Sequence, residues 1–216
     1  MKGISHMIVG VTTGIVLSEL LGTETPTTIL LTTIGSLIPD IDQKNSLINK
    51  VIVPFKTKHK NLIKALVSIA LFVAGLKVMN SVILQYLGAI VLLSTISNRI
   101  EYRFSLFGGL KKEEYHRTLF HDPIIGGIIF ALPMIILNID IYHKIAFMVG
   151  VIVCHYLMDT FTTYGLPLYL LKSSIRMPIH YNSRNVFAEV VIVTLYVTAT
   201  MVIGYPQLSN YLRIIL

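Results

Sequence analysis

A chain of 216 residues with 54% hydrophobic and only 13% charged side chains cannot cover itself as a soluble domain does, because soluble domains carry about 25% charged residues. The mean hydropathy of +0.72 calls for lipid instead of water over much of the surface, which points to an integral membrane protein. In a soluble chain a net charge of +7 would raise nucleic-acid binding. Here the positive residues read as topology signals, and no nucleic-acid partner is expected.

A helix crosses the hydrocarbon core with about 20 apolar residues, in a range of about 17–25. In chain order, apolar runs fall at 4–22, 27–39, 62–79, 82–97, 123–138, 144–164 and 187–204. They predict an all-α polytopic membrane protein with about seven membrane-embedded helices in one domain spanning 1–216. The first run lacks a small-residue cleavage site and is expected to remain as a helix. The run 27–39 is short, so it either tilts, re-enters or crosses. Breaks at "GTETPT", "MNSV", "NIDIYHK" and "GYPQ" combine turn formers with polar residues.

With seven crossings, Lys2 and the loops 43–64, 98–122 and 165–186 share one side and hold most of the 18 Lys and Arg residues. By the positive-inside rule that side is cytoplasmic. "KTKHKN" at 56–61 reads as a solvated basic loop against anionic lipid. The lone Cys154 sits in an apolar run, excludes a disulfide framework and is expected to pack.

Ionisable groups at a bilayer are rare and usually paired or functional. His6 opens the first run, "GSLIPDID" puts Asp40 and Asp42 after the second, "YHRTLFHDP" precedes the fifth, and "CHYLMDTFTTYG" places His155 and Asp159 near the end of the sixth. On the seven-helix reading all four clusters lie at one face. His155 and Asp159, four apart, project from one side of a helix and suit a shared metal ion. Pro39 disfavours a continued helix at Ile38, and in an extended backbone Asp40 and Asp42 would point the same way. Asp122 before Pro123 reads as a helix cap rather than a ligand.

His6, Asp40, Asp42, His116, His121, His155 and Asp159 are therefore candidate metal ligands. Imidazole with carboxylate suits zinc, iron or manganese without choosing among them, and the number of ligands allows one or two divalent ions. Arg117 beside His116 is placed to bind a phosphoryl oxygen.

The motifs "LIPDID" with Ser46, "HRTLFHD" at 116–122, "CHYLMDTFTTYGLPL" at 154–168 and "IRMPIHYNSRNVFAE" ending in Glu189 resemble, in this order, the YdjM-type, LexA-regulated, membrane-bound metal-dependent hydrolases. Thr118, Phe120 and Asp122 depart from that family's "HRGxTHS" pattern. The resemblance implies a metal-dependent hydrolase distantly similar to zinc-dependent phospholipase C, with zinc the first candidate metal and Glu189 a general base or an orienting group. The expectation is hydrolysis of a phosphoester, a membrane-lipid headgroup among the candidates, at the cytoplasmic face. Two rivals are an ion or solute transporter, kept alive by Glu19 near the far end of the first run, and a membrane scaffold with a structural metal.

Overall fold

The stretch from Gly3 carries no proline, and no charge before Glu19, so nothing interrupts a helix until Gly22. In the computed structural model it forms α1 (Gly3–Leu21), closed by Gly22 in the left-handed region with φ 61°. The structure describes residues 1–41, 43, 46–54, 59–106, 119–169, 171 and 173–205, with the side chains of 96–106 outside that description. The elements continue with α2 (Thr25–Leu37), a 3-10 turn (Ile38–Asp40), α3 (Leu47–Ile52), α4 (Lys60–Lys77), α5 (Val82–Leu106), a 3-10 turn (Leu119–His121) and α6 (Pro123–Ile136). Next come α7 (Ile141–Val149), a π-helical stretch (Gly150–Leu157), α8 (Met158–Thr160), the short strands β1 (Leu166–Leu168) and β2 (Ser173–Ile175), and α9 (Val186–Gly204). The chain is mostly helical. A small antiparallel hairpin, pairing Leu166 with Ile175 and Leu168 with Ser173, lies within the segment expected to be a loop.

Among the described residues, three helices are long and apolar enough to cross a bilayer: Gly3–Leu21, Ile141–Thr160 and Val186–Gly204. Val82–Thr95 and Pro123–Ile136 are apolar but shorter. The 13 residues of α2 rise only about 20 Å, against a hydrocarbon core of about 30 Å, and α4 includes Lys60, Lys64 and Lys77. Each expected apolar run is thus helical over most of its length, with 161–164 of the run 144–164 lying beyond the end of the helix at Thr160, while the number of crossings is a separate matter. The helix of α5 also continues through 98–106, part of a stretch expected to be a loop, because its charged residues end the apolar run without breaking the helix.

The chain divides into two compact units: residues 1–38, 141–165 and 176–216 in the first, and 39–140 with 166–175 in the second. In the first, α1 packs along α2 and α9, and α2 packs on α7 and the π-helical stretch. Small residues make this possible. A Cβ on Gly14 would meet the Ile29 Cα at 2.6 Å, and one on Gly35 would run into the Phe147 carbonyl. Backbones that approach this closely gain dispersion contact and stabilise helix pairs in lipid, where apolar burial alone contributes little. Val9, Cys154, Met158 and Val193 form the apolar centre.

In the second unit α4 packs along α5, and Ser68 Oγ donates to the Gly88 carbonyl at 2.8 Å. Tyr86, 1% exposed, donates to the Phe130 carbonyl at 3.2 Å and ties α5 to α6. The start of α6 is set by Asp122, whose Oδ1 accepts from the N–H groups of Ile124 and Ile125 at 2.8 and 3.0 Å, with Pro123 in the first turn. Asp122 Oδ2 accepts in addition from the Tyr169 N–H at 2.7 Å. Its expected role as a cap is what the geometry contains.

Candidate metal centre

Within the first unit, α1, the π-helical stretch and α8 bring His6, His155 and Asp159 together. One nitrogen or oxygen from each lies within 4.8 Å of the others. All three are buried, at 1%, 0% and 2% exposure. His6 Nε2 is 3.4 Å from Asp159 Oδ1, His155 Nε2 is 3.5 Å from Oδ2, and the two imidazoles stack at 4.0 Å. The predicted pairing of His155 with Asp159 holds, on a backbone that differs from the one assumed. The segment is π-helical, a form that often appears at functional sites.

The other ring nitrogens decide the chemistry. His6 Nδ1 lies 2.9 Å from the Cys154 carbonyl and His155 Nδ1 lies 2.7 Å from the Ser36 carbonyl. A carbonyl only accepts, so each Nδ1 carries the proton and each Nε2 faces the Asp159 carboxylate. Two such nitrogens facing one carboxylate repel it as lone pairs. They suit it only with a proton or a cation between them. This is the arrangement in which metal-binding histidines are held, with the second ring nitrogen donating to a fixed acceptor. The donor set therefore fits a divalent ion. A cation already engages the same carboxylate: the Met1 ammonium donates to Asp159 Oδ1 at 2.8 Å, so it and a metal ion would share or contest that oxygen.

Glu189, at the start of α9 and 2% exposed, sits on the same unit. Its Oε1 accepts from the Lys2 N–H and the Ser5 hydroxyl, both at 2.7 Å. The carboxylate is thus engaged with the beginning of α1, at Lys2 and at Ser5, the residue just before His6.

In the second unit His121 Nε2 lies 3.0 Å from Asp40 Oδ1 and 3.1 Å from Gln43 Nε2. Asp40 belongs to a 3-10 turn, and Ile38 has helical angles, φ −64° and ψ −33°. The expected extended backbone at Asp40 is therefore corrected. The helix tightens into a 3-10 turn at Pro39 rather than opening, and the alternation argument for Asp40 with Asp42 loses its basis. Asp42, His116 and Arg117 lie outside the described residues. Gln43 was missed because an amide in a polar loop carries no signal. The carbonyls of Ser36 and Cys154 were missed because backbone acceptors leave no mark on a sequence.

A mostly helical chain whose long apolar helices surround buried His and Asp side chains defines an integral membrane protein. The chain belongs to the YdjM inner membrane protein family, which it matches over residues 1–207, as the ordered motifs implied. No curated protein and no solved structure matches it.

Proposed function

We propose that the protein is a multi-pass membrane hydrolase that uses a divalent metal to cleave a phosphoester at the cytoplasmic face. The observation that supports this most is the locking of both Nδ1 atoms, which turns the Nε2 atoms of His6 and His155 toward Asp159. On this reading those three residues hold one ion, zinc before manganese or iron. Asp40, Asp42, His116 and His121 are the ligand candidates for a second. A divalent ion supplies Lewis acidity toward a phosphoryl oxygen and a water. Arg117 would bind the substrate phosphate through paired N–H groups. A lipid headgroup is the substrate class favoured by the basic loops beside the motifs. The seven-crossing arrangement accounts for the sidedness of Lys and Arg, and a reporter fused after Leu216 is then expected outside the cytoplasm.

The deciding assay is turnover of a generic phosphodiester by detergent-purified protein, wild type against Asp159→Ala. Turnover by the wild type with loss of at least ~100-fold in the variant supports hydrolysis. Cation flux in liposomes without turnover would instead make the protein a transporter. The burial of all three ligands also favours a structural metal as a second reading, which metal binding without turnover or flux would establish.

A further inference from the structure

α1 begins without a cap of its own. Its N-cap residue is Lys2, whose side chain makes no capping hydrogen bond. In the usual capping box the third helical residue is Glu or Gln and reaches back to the N-cap N–H. In α1 that third position is Ser5, too short for the task. The missing carboxylate comes from another helix, because Glu189 Oε1 accepts the Lys2 N–H and the Ser5 hydroxyl, each at 2.7 Å. Glu189 stands in the first turn of α9, whose own start is capped by Asn185 accepting from the Ala188 N–H at 3.2 Å. The carboxylate therefore lies beside the N-termini of two helices, where both dipoles favour negative charge. Lys2 Nζ stands 4.0 Å from Oε2.

His6 follows Ser5 directly, and its N–H makes the first turn of α1 by bonding to the Lys2 carbonyl at 3.2 Å. The residue clamped by Glu189 and the residue that accepts from His6 are the same. We propose that Glu189 is a positioning residue that completes the capping box of α1 from α9 and so fixes the His6 imidazole against the Cys154 carbonyl. This rests on the metal reading only where metal affinity is concerned. His155 is held separately, by the Ser36 carbonyl, so the clamp acts on one imidazole of the pair and not on the other.

The test uses full-length protein in detergent with 15N-labelled histidine, with ring signals assigned through His6→Ala and His155→Ala. In the metal-free protein, Glu189→Ala is expected to abolish the protected Nδ1–H signal of His6 and to leave that of His155. Glu189→Gln, which keeps one acceptor, is expected to restore the His6 signal. Ser5→Ala removes half of the clamp at little cost to folding, is expected to weaken the same signal, and carries the test if Glu189→Ala does not fold. Zn2+ affinity is expected to fall ~10–100-fold in Glu189→Ala, the range for loss of a group that orients a ligand. A His6 signal unchanged in Glu189→Ala or Ser5→Ala, or a His155 signal lost equally, overturns the clamp. A wild type that binds no Zn2+ overturns the proposed function, and the ring signals then decide the clamp alone.

Discussion

His121 and His155 are both buried imidazoles with an aspartate carboxylate beside Nε2, at 3.0 Å for His121 and 3.5 Å for His155, and the surroundings of that nitrogen differ. His155 gives Nδ1 to the Ser36 carbonyl and turns Nε2 to Asp159, a carboxylate that His6 Nε2 also faces. His121 turns its Nε2 to Asp40 and to Gln43 at once. In the first unit two imidazoles meet one carboxylate, which the Met1 ammonium also engages. In the second, His121 Nε2 meets a carboxylate that calls for a donor and an amide NH2 that calls for an acceptor, so the nitrogen answers only one of them. The residue types agree, and the groups gathered around each Nε2 differ.

The sharpest way to break this contrast is to remove Asp159. Asp159→Ala leaves two imidazoles and no carboxylate in the first unit, and Zn2+ affinity measured against a competing chelator is expected to fall by more than ~100-fold, beyond the range for orienting groups. His121→Ala, by contrast, is expected to leave one tightly bound ion per chain by mass spectrometry. Equal loss in both variants would erase the distinction between the two units.

Packing supplies the next prediction. Gly150 opens the π-helical stretch, and a Cβ there would meet the Gly35 Cα at 3.0 Å and drive into the Thr32 carbonyl. Gly150→Ala is expected to cost about 1–3 kcal/mol through overpacking and to lower the thermal midpoint. Gly127, with nothing near its Cβ position, is the control, and Gly127→Ala is expected to leave the midpoint unchanged or slightly raised.

How far the sequence carried the structure depends on what kind of interaction sets each element. The start of α6 was legible because Asp122 and Pro123 are side-chain signals of a helix terminus, and they act locally. The pairing of His155 with Asp159 was legible because it needs only spacing along one helix. The 3-10 turn at Asp40 was not, since the preference of the residue before Pro39 is weak enough for packing to override. The link from Glu189 to α1 joins residues 187 apart in sequence, and nothing local announces it.

Two hydrogen-bonding groups sharpen the same comparison, one in each unit. Asp122→Ala removes a cap worth about 1 kcal/mol and strips the Tyr169 N–H of its acceptor, at a further cost of about 1–3 kcal/mol. Chemical unfolding is expected to register that loss, with Zn2+ affinity unchanged. Tyr196→Phe removes the hydrogen bond to Thr13 Oγ1, 2.8 Å long between α1 and α9. The expected cost is only about 0.6 kcal/mol, the average for such bonds between helices in lipid, with metal content unchanged.

The most direct test of the whole account is the metal content of the detergent-purified wild-type protein by mass spectrometry, taken alongside His6→Ala. The account predicts at least one divalent ion per chain in the wild type and its loss in the variant. A wild type with no stoichiometric metal, or a His6→Ala protein that keeps the full complement, would contradict it.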